Sequence, residues 1–331
     1  MPLILFLLLL FSSTISAKTL PATNFQATHN FIKKMVKDYQ FNKDELNFIF
    51  SKVKLVIADK NSTTTKKKVK SKPMSWDKYR SLFITDSRID KGVEFWKDNQ
   101  AILDRAEKQF HVPQEIIVAI LGIETNYGDN KGTHATLETL ARLSFGTHRR
   151  KKFYQKELEE FLLLSRENTL APLSIKGSYA GALGYAQFIS SSYRYYAIDF
   201  DGDHKVDLFN SPADAIGSIA NYFDKHQWHD YGPYARPIKL NSAQNKVAKS
   251  STNKPKKSAK YWRSKGFKID KDIDNKTKLA IIKLNQNNHF ETWLTFWNFY
   301  VLTRYNHDNR YAMTAVQLSE KIKQQFNQTN L

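Results

Sequence analysis

The stretch Val112–Gly128, VPQEIIVAILGIETNYG, constrains this chain more than any other. Pro113 suits the first turn of a helix, where its missing N–H costs nothing. Gln114 and Glu115 follow as polar first-turn residues. Then Ile116, Ile117, Val118, Ala119, Ile120, Leu121 and Ile123 run almost without a break. A helix apolar all round is a buried one, so the fold has to wrap around it. Glu124 comes at its end. Steps of three, four and seven place it on the face of Leu121, Ile120 and Ile117, so its carboxyl points where apolar side chains point. An ionised carboxylate out of water is disfavoured unless paired, and the usual response is a raised pKa and a retained proton. A carboxylic acid still protonated near neutral pH is what general acid catalysis requires. The plainer alternative is a glutamate at a helix C-terminus, half exposed or bonded to a nearby backbone N–H.

The rest of the chain has the apolar material for such a fold. Of 331 residues 41% are apolar, with 22 Phe, 16 Tyr and 6 Trp, enough for one large domain or two unequal ones. The formal charge of +19 points to an anionic partner such as nucleic acid, acidic lipid or an acidic cell-wall polymer, although much of the excess sits in lysine runs. No cysteine is present, which excludes disulfides, thiol chemistry and thiolate metal sites, and with them a lipoprotein anchor. Leu3–Phe11 is an unbroken apolar run followed by SSTISA, too short to span a bilayer but suited to a signal peptide over residues 1–17. No Lys or Arg precedes that run. The expectation is an exported, soluble protein.

Helical spacing covers Phe25–Tyr39, and Asn42 with Glu45 reads as a cap before a second helix. Asp59–Lys72 is a basic loop with nothing to bury. Trp76, Tyr79, Leu82 and Phe83 form an aromatic group, and Phe95–Phe110 reads as an amphipathic helix. Helical signal returns at Leu137–Leu143 and Phe153–Leu164, with Arg149 and Arg150 between them; an arginine pair can grip a carboxylate bidentately. Gly177–Phe188, GSYAGALGYAQF, has few side chains to pack and lets backbone approach a ligand or another strand closely; a tight hairpin is compatible with that.

Asp199–Asp207, DFDGDHKVD, alternates carboxylates around a glycine turn, as hard cations such as Ca²⁺ require. It is not a regular EF-hand, since His204 and Asn210 occupy the sixth and twelfth positions. Asp199, Asp201 and Asp203 are the first candidates as ligands, with the Lys205 carbonyl, Asp214 and then Asp207 behind them. Asp214 has a second reading. Ser211 can cap a helix that begins at Pro212, which puts Asp214 in its first turn. The region from about Pro237 to Lys260 reads as linker or long loop, KLAIIKL (278–284) as a strand, and Tyr311–Ile322 as a C-terminal amphipathic helix. Among the aromatics of 290–306, Tyr305, with Tyr311 beyond it, lies beside Asn306, His307 and Asp308, where a sugar ring can stack.

IETNYG, HRR at 148–150, GSYAGALGYAQF and NFYVLTRYN followed by Tyr311 stand in one order. Together they closely resemble the lytic murein transglycosylase B family over about Met74–Tyr222 and Asn298–Leu318. The resemblance implies a mainly α (α+β) fold: a lysozyme-like catalytic domain from residues 18–236 and 291–331, with a small inserted α/β subdomain at 237–290. It implies cleavage of the β-1,4 bond between N-acetylmuramic acid and N-acetylglucosamine of peptidoglycan, with the muramyl 6-hydroxyl closing a 1,6-anhydro ring. Glu124 would act as acid and then base. Tyr79, Arg149, Arg150, Ser178, Gln187, Tyr222, Tyr305, Asn306 and Tyr311 would line the glycan groove. Ordinary glycosidases place two carboxyl groups around the bond, whereas Asp129, the nearest second carboxyl, reads as a surface residue.

The aspartate loop falls where members of the family bind Ca²⁺, and no organic cofactor is implied. Departures are Asp308 where the family commonly has Ser, and the order Phe153-Tyr154. A periplasmic monomer acting on glycan strands is expected, with cell-wall synthases or amidases as candidate partners. The rivals are a muramidase using water and a non-catalytic glycan-binding protein. A nucleic-acid partner is not expected, because no recognition motif is present and the export signal argues against it.

Overall fold

A computed structural model of the protein describes residues 19–56, 74–230, 232–249 and 251–329. The expected signal segment 1–17 and the basic loop 59–72 lie outside them. The described residues form a mainly α protein that falls into two compact units, one of 74–127 and 216–329, the other of 19–56 and 128–215.

In the first unit the helix Gln114–Thr125 is the core element. Ile116 to Leu121 have no solvent exposure, and helices Asp86–Asp98 and Asn309–Thr329 pack against it. Gly92 and Gly122 make this approach feasible: a Cβ at either would stand 2.5 Å from the Tyr127 hydroxyl, which donates to the Arg88 carbonyl at 2.8 Å. The amphipathic stretch Phe95–Phe110 is not one helix. Asp86–Asp98 ends at Asn99 (φ −117°, ψ 19°) and Gln100–Phe110 restarts beyond it, with the Asn99 side-chain amide donating to the Phe95 carbonyl.

The same unit carries a four-stranded antiparallel sheet in the order Ala235–Pro237, Phe290–Thr295, Lys278–Asn285, Lys257–Ser258. Trp262, Phe267, Leu279, Ile281, Leu294 and Phe296 form its core. The region read as linker from Pro237 to Lys260 contains helix Ser242–Ala248, closed by a reciprocal cap between Asn241 and Gln244, and the edge strand. Its scattered apolar residues (Ile238, Leu240, Val247 and Ala248) are too few for periodicity to show, yet they pack on the sheet core. The strands Ala235–Pro237 and Phe290–Thr295 run across the boundaries 236/237 and 290/291 drawn from sequence.

In the second unit, helices Gln26–Tyr39 and Lys43–Lys52 follow the expected spacing, and Asn42 accepts from the amides of Asp44 and Glu45. Helices Thr136–Phe145 and Lys151–Glu167 pack as a pair. Residues 177–188 form tight turns with a Leu183–Phe188 bridge. Gly184 (φ +63°) is held there by necessity, because a Cβ would sit 2.2 Å from the Leu208 carbonyl oxygen.

Candidate active site

Helix Gln114–Thr125 ends in three consecutive left-handed residues, Asn126, Tyr127 and Gly128, with the Tyr127 amide donating to the Leu121 carbonyl. This Schellman-type closure leaves Glu124 in the last turn, at the negative end of the helix dipole, where a carboxylate charge is further disfavoured. The side chain is partly buried, and burial pushes its pKa up to about 7, opposed by a hydrogen bond from Tyr311. Tyr311 Oη donates to Glu124 Oε1 at 2.6 Å. Among the described residues no lysine or arginine is ion-paired with Glu124. A carboxyl group divided between protonated and ionised forms at neutral pH can give up a proton and take one back.

The surrounding wall is aromatic. Tyr311 is 2% exposed and its ring lies parallel to Tyr305, with centroids 6.3 Å apart. Burial raises both phenol pKa values well above the ordinary tyrosine range, so both keep their protons. Tyr222 stands edge-on to Tyr305 at 5.0 Å, and its hydroxyl donates to the Arg304 carbonyl. Tyr79 is buried, and its hydroxyl is raised by burial and then by Asp308, with Glu124 adding a smaller push. Asn306 caps the end of helix Trp297–Tyr305 and its Oδ1 accepts from the Asp308 amide at 3.3 Å. Glu124, Tyr79, Tyr222, Tyr305, Asn306 and Tyr311 all belong to the first unit.

Sequence reading overlooked Arg310. Its guanidinium lies over the Tyr79 ring at 4.6 Å, pairs with Asp308 and donates to the Met74 carbonyl at 3.0 Å. The unusual Asp308 was the available signal: a carboxylate two residues before an arginine gives that arginine a fixed partner.

Arg149, Arg150, Ser178 and Gln187 belong to the second unit. Arg150 stacks on Phe153 at 4.0 Å, while Arg149 is exposed. Ser178 Oγ accepts from the amides of Ala180 and Ala182, which leaves its own proton to donate. Gln187 donates both amide hydrogens, to the carbonyls of Lys131 and Gly184, so its oxygen is what it can offer a ligand.

The aspartate loop also lies there. Carboxylate oxygens of Asp199, Asp201 and Asp203 come within 4.8 Å of one another, a hard-oxygen cluster of the kind Ca²⁺ takes. The left-handed Gly202 and His204 provide the tight curvature. Asp214, fully buried, accepts from the amides of Phe200 and Asp207, one on each oxygen. Ser211 Oγ accepts from the Asp214 amide, so the helix Pro212–Lys225 is capped as its sequence suggested. Asp214 thus ties both ends of the loop to the helix start. The Lys205 amide donates to Asp203, and Asp207 caps the turn at Phe209 and Asn210.

The model of the transglycosylase SLT domain family matches residues 24–320. The chain is 38% identical to membrane-bound lytic murein transglycosylase B of Escherichia coli over 300 residues, covering 88% of this chain and 81% of that protein. It is similar to the crystal structure of soluble lytic transglycosylase SltB1 from Pseudomonas aeruginosa (TM-score 0.81, 37% identity, 91% of this chain and 99% of that one). It is also similar to E. coli Slt35 in complex with calcium (TM-score 0.78, 34% identity, 93% and 96%). Slt35 has been solved with bulgecin A as well, at TM-score 0.79 and 35% identity, covering 93% of this chain and 96% of that one.

Proposed function

The chain belongs to the transglycosylase SLT domain family and is a peptidoglycan lytic transglycosylase with a lysozyme-like, mainly α fold, and we propose that Glu124 is its single acid and base. Glu124, protonated, gives its proton to the glycosidic oxygen between N-acetylmuramic acid and N-acetylglucosamine as the C1–O bond breaks. The muramyl 6-hydroxyl oxygen then bonds to C1, and its proton passes to the Glu124 carboxylate. The enzyme is returned to its starting state, and no water is consumed. One carboxyl group serves both steps because, with a pKa of about 7, it is protonated in part and ionised in part at neutral pH. That position beside Tyr311 is the observation that carries the assignment.

Tyr79, Tyr222, Tyr305, Asn306 and Tyr311 are assigned to glycan binding around Glu124, with Tyr311 holding the carboxyl group in place. The family resemblance assigns Ser178 and Gln187 to hydrogen bonds with the muramyl unit, and Arg149 and Arg150 to its lactyl and peptide carboxylates. Calcium is assigned to Asp199, Asp201 and Asp203, with the Lys205 carbonyl and Asp214 completing the loop. The metal's part is structural: it neutralises three clustered carboxylates. The site of action is placed in the periplasm, on the strength of the signal-like segment at residues 1–17. Among the described residues no helix is long and apolar enough to cross a membrane. Mass spectrometry of digested sacculi tests the reaction. Anhydromuropeptides are expected, and products heavier by one water would assign the chain to muramidases instead. Glu124→Gln should yield far less of either.

A further inference from the structure

We propose that the sheet subdomain of residues 235–295 is a second, non-catalytic docking surface for the carboxylate-bearing peptidoglycan network, apart from Glu124. The proposal rests on the peptidoglycan reading above for the identity of the polymer, and on the following charge distribution for the surface itself.

These 61 residues hold 15 Lys and Arg against 4 Asp and Glu, so +11 of the chain's +19 is concentrated here. The few acids are consumed internally. Asp270 and Asp272 both pair with Arg236. Asp274 accepts the Lys276 amide. Glu291 accepts from the indoles of Trp76 and Trp293 and from Gln286. Twelve of the thirteen lysines are exposed, and among the described residues none of the thirteen has an ion-pair partner. Crowding like charges costs stability, and that cost is offset when a polyanion binds.

A local motif favours a carboxylated glycan over a lipid surface. Lys257 and Lys265 place their ammonium groups 5.0 and 5.9 Å from the Tyr261 ring, Lys257 from the edge strand before helix Ala259–Ser264 and Lys265 from the residue that ends it. The ring is partly buried and bracketed by cations, so it does not project as a membrane anchor would. The edge of such a ring can meet a sugar while the flanking ammonium groups meet carboxylates. Peptidoglycan offers both in each repeat. Lys260 and Lys278 extend the same patch: Lys260 is on the helix, and Lys278 is paired in register with Ser258.

The test is co-sedimentation of the full chain, made non-cleaving by Glu124→Gln, with purified sacculi, with sacculi whose carboxyl groups are amidated, and with phosphatidylglycerol vesicles. Native sacculi should be bound, with affinity falling steeply between 50 and 300 mM salt. Amidated sacculi should bind about tenfold more weakly. On this background Lys257→Gln, Lys260→Gln, Lys265→Gln and Lys278→Gln combined should give a similar loss, while four Lys→Arg changes at the same positions retain binding. With Glu124 intact, the Gln set should leave cleavage of short soluble glycans unchanged but slow the digestion of sacculi. Equal binding to native and amidated sacculi overturns the proposal without relying on any variant. So does binding to vesicles with no binding to sacculi, or full binding by the folded Gln set. Absence of anhydro products alongside the expected sedimentation would remove the catalytic reading and leave the docking surface standing.

Discussion

Tyr311 donates its phenolic proton to Glu124 Oε1 across 187 positions of chain, at 2.6 Å. Two opposing influences therefore act on one carboxyl group. Burial disfavours its charge and dominates, while the hydrogen bond favours the charge and moderates the shift, leaving the pKa at about 7.

Glu124→Gln keeps the shape and removes the proton. Anhydromuropeptide release should fall by about 10²–10⁴-fold, the usual worth of a positioned acid–base group. Chromatography of digested sacculi measures this, and a near-wild-type rate would exclude Glu124 as the acid.

The same substitution should reveal the cost of the buried carboxyl. Its folded pKa, about 7, is above the ordinary value of 4.5, so between those values the native state binds more protons than the unfolded one. Stability therefore falls as pH rises from 4.5 towards 7, by at most about 3 kcal/mol. Glu124→Gln should melt higher than wild type at pH 8 and lose that advantage near pH 4.5. Thermal melts at both pH values check the sign.

Tyr311→Phe removes the contact that favours the ionised form. The Glu124 pKa should rise further, and the alkaline limb of the pH–rate profile should move to higher pH. The rate itself should also fall, because the carboxyl group loses its positioning partner. An unmoved alkaline limb would mean that this hydrogen bond does not tune the acid.

Calcium should raise the melting temperature at neutral pH by neutralising Asp199, Asp201 and Asp203. Asp201→Ala should abolish the increase. A titration with identical melts with and without the ion, and no metal recovered, counts against the site.

Gly184→Ala should destabilise by roughly 2–4 kcal/mol, since it combines a left-handed backbone with a carbonyl oxygen 2.2 Å from the new Cβ. Urea denaturation measures it; a change within 0.5 kcal/mol would show that the turn has room to adjust.

Much of the site can be read locally in the sequence. The apolar run ending in Glu124, the alternating aspartates and the caps at Asn42 and Ser211 are all set by neighbours within a turn or two. Spacing alone decides which way those side chains point. The break at Asn99 was missed because Phe95–Phe110 keeps an apolar stripe on both sides of it. Of the sheet, the strand at 278–284 could be read, but the edge strand Lys257–Ser258 and the helix Ser242–Ala248 before it were missed for the opposite reason: their lysine-rich stretch carries too few apolar residues to show a period.

By itself, then, the sequence determined a buried helix with a carboxyl at its end, a calcium-type loop and, through an ordered set of motifs, the family. The tertiary structure decided which groups meet that carboxyl. Tyr311 and Tyr305 come from helices far along the chain, and Arg310 reaches back over Tyr79 with Asp308 as its anchor. A local pattern can orient a side chain, but its partner and its pKa depend on contacts made only when distant segments close on one another.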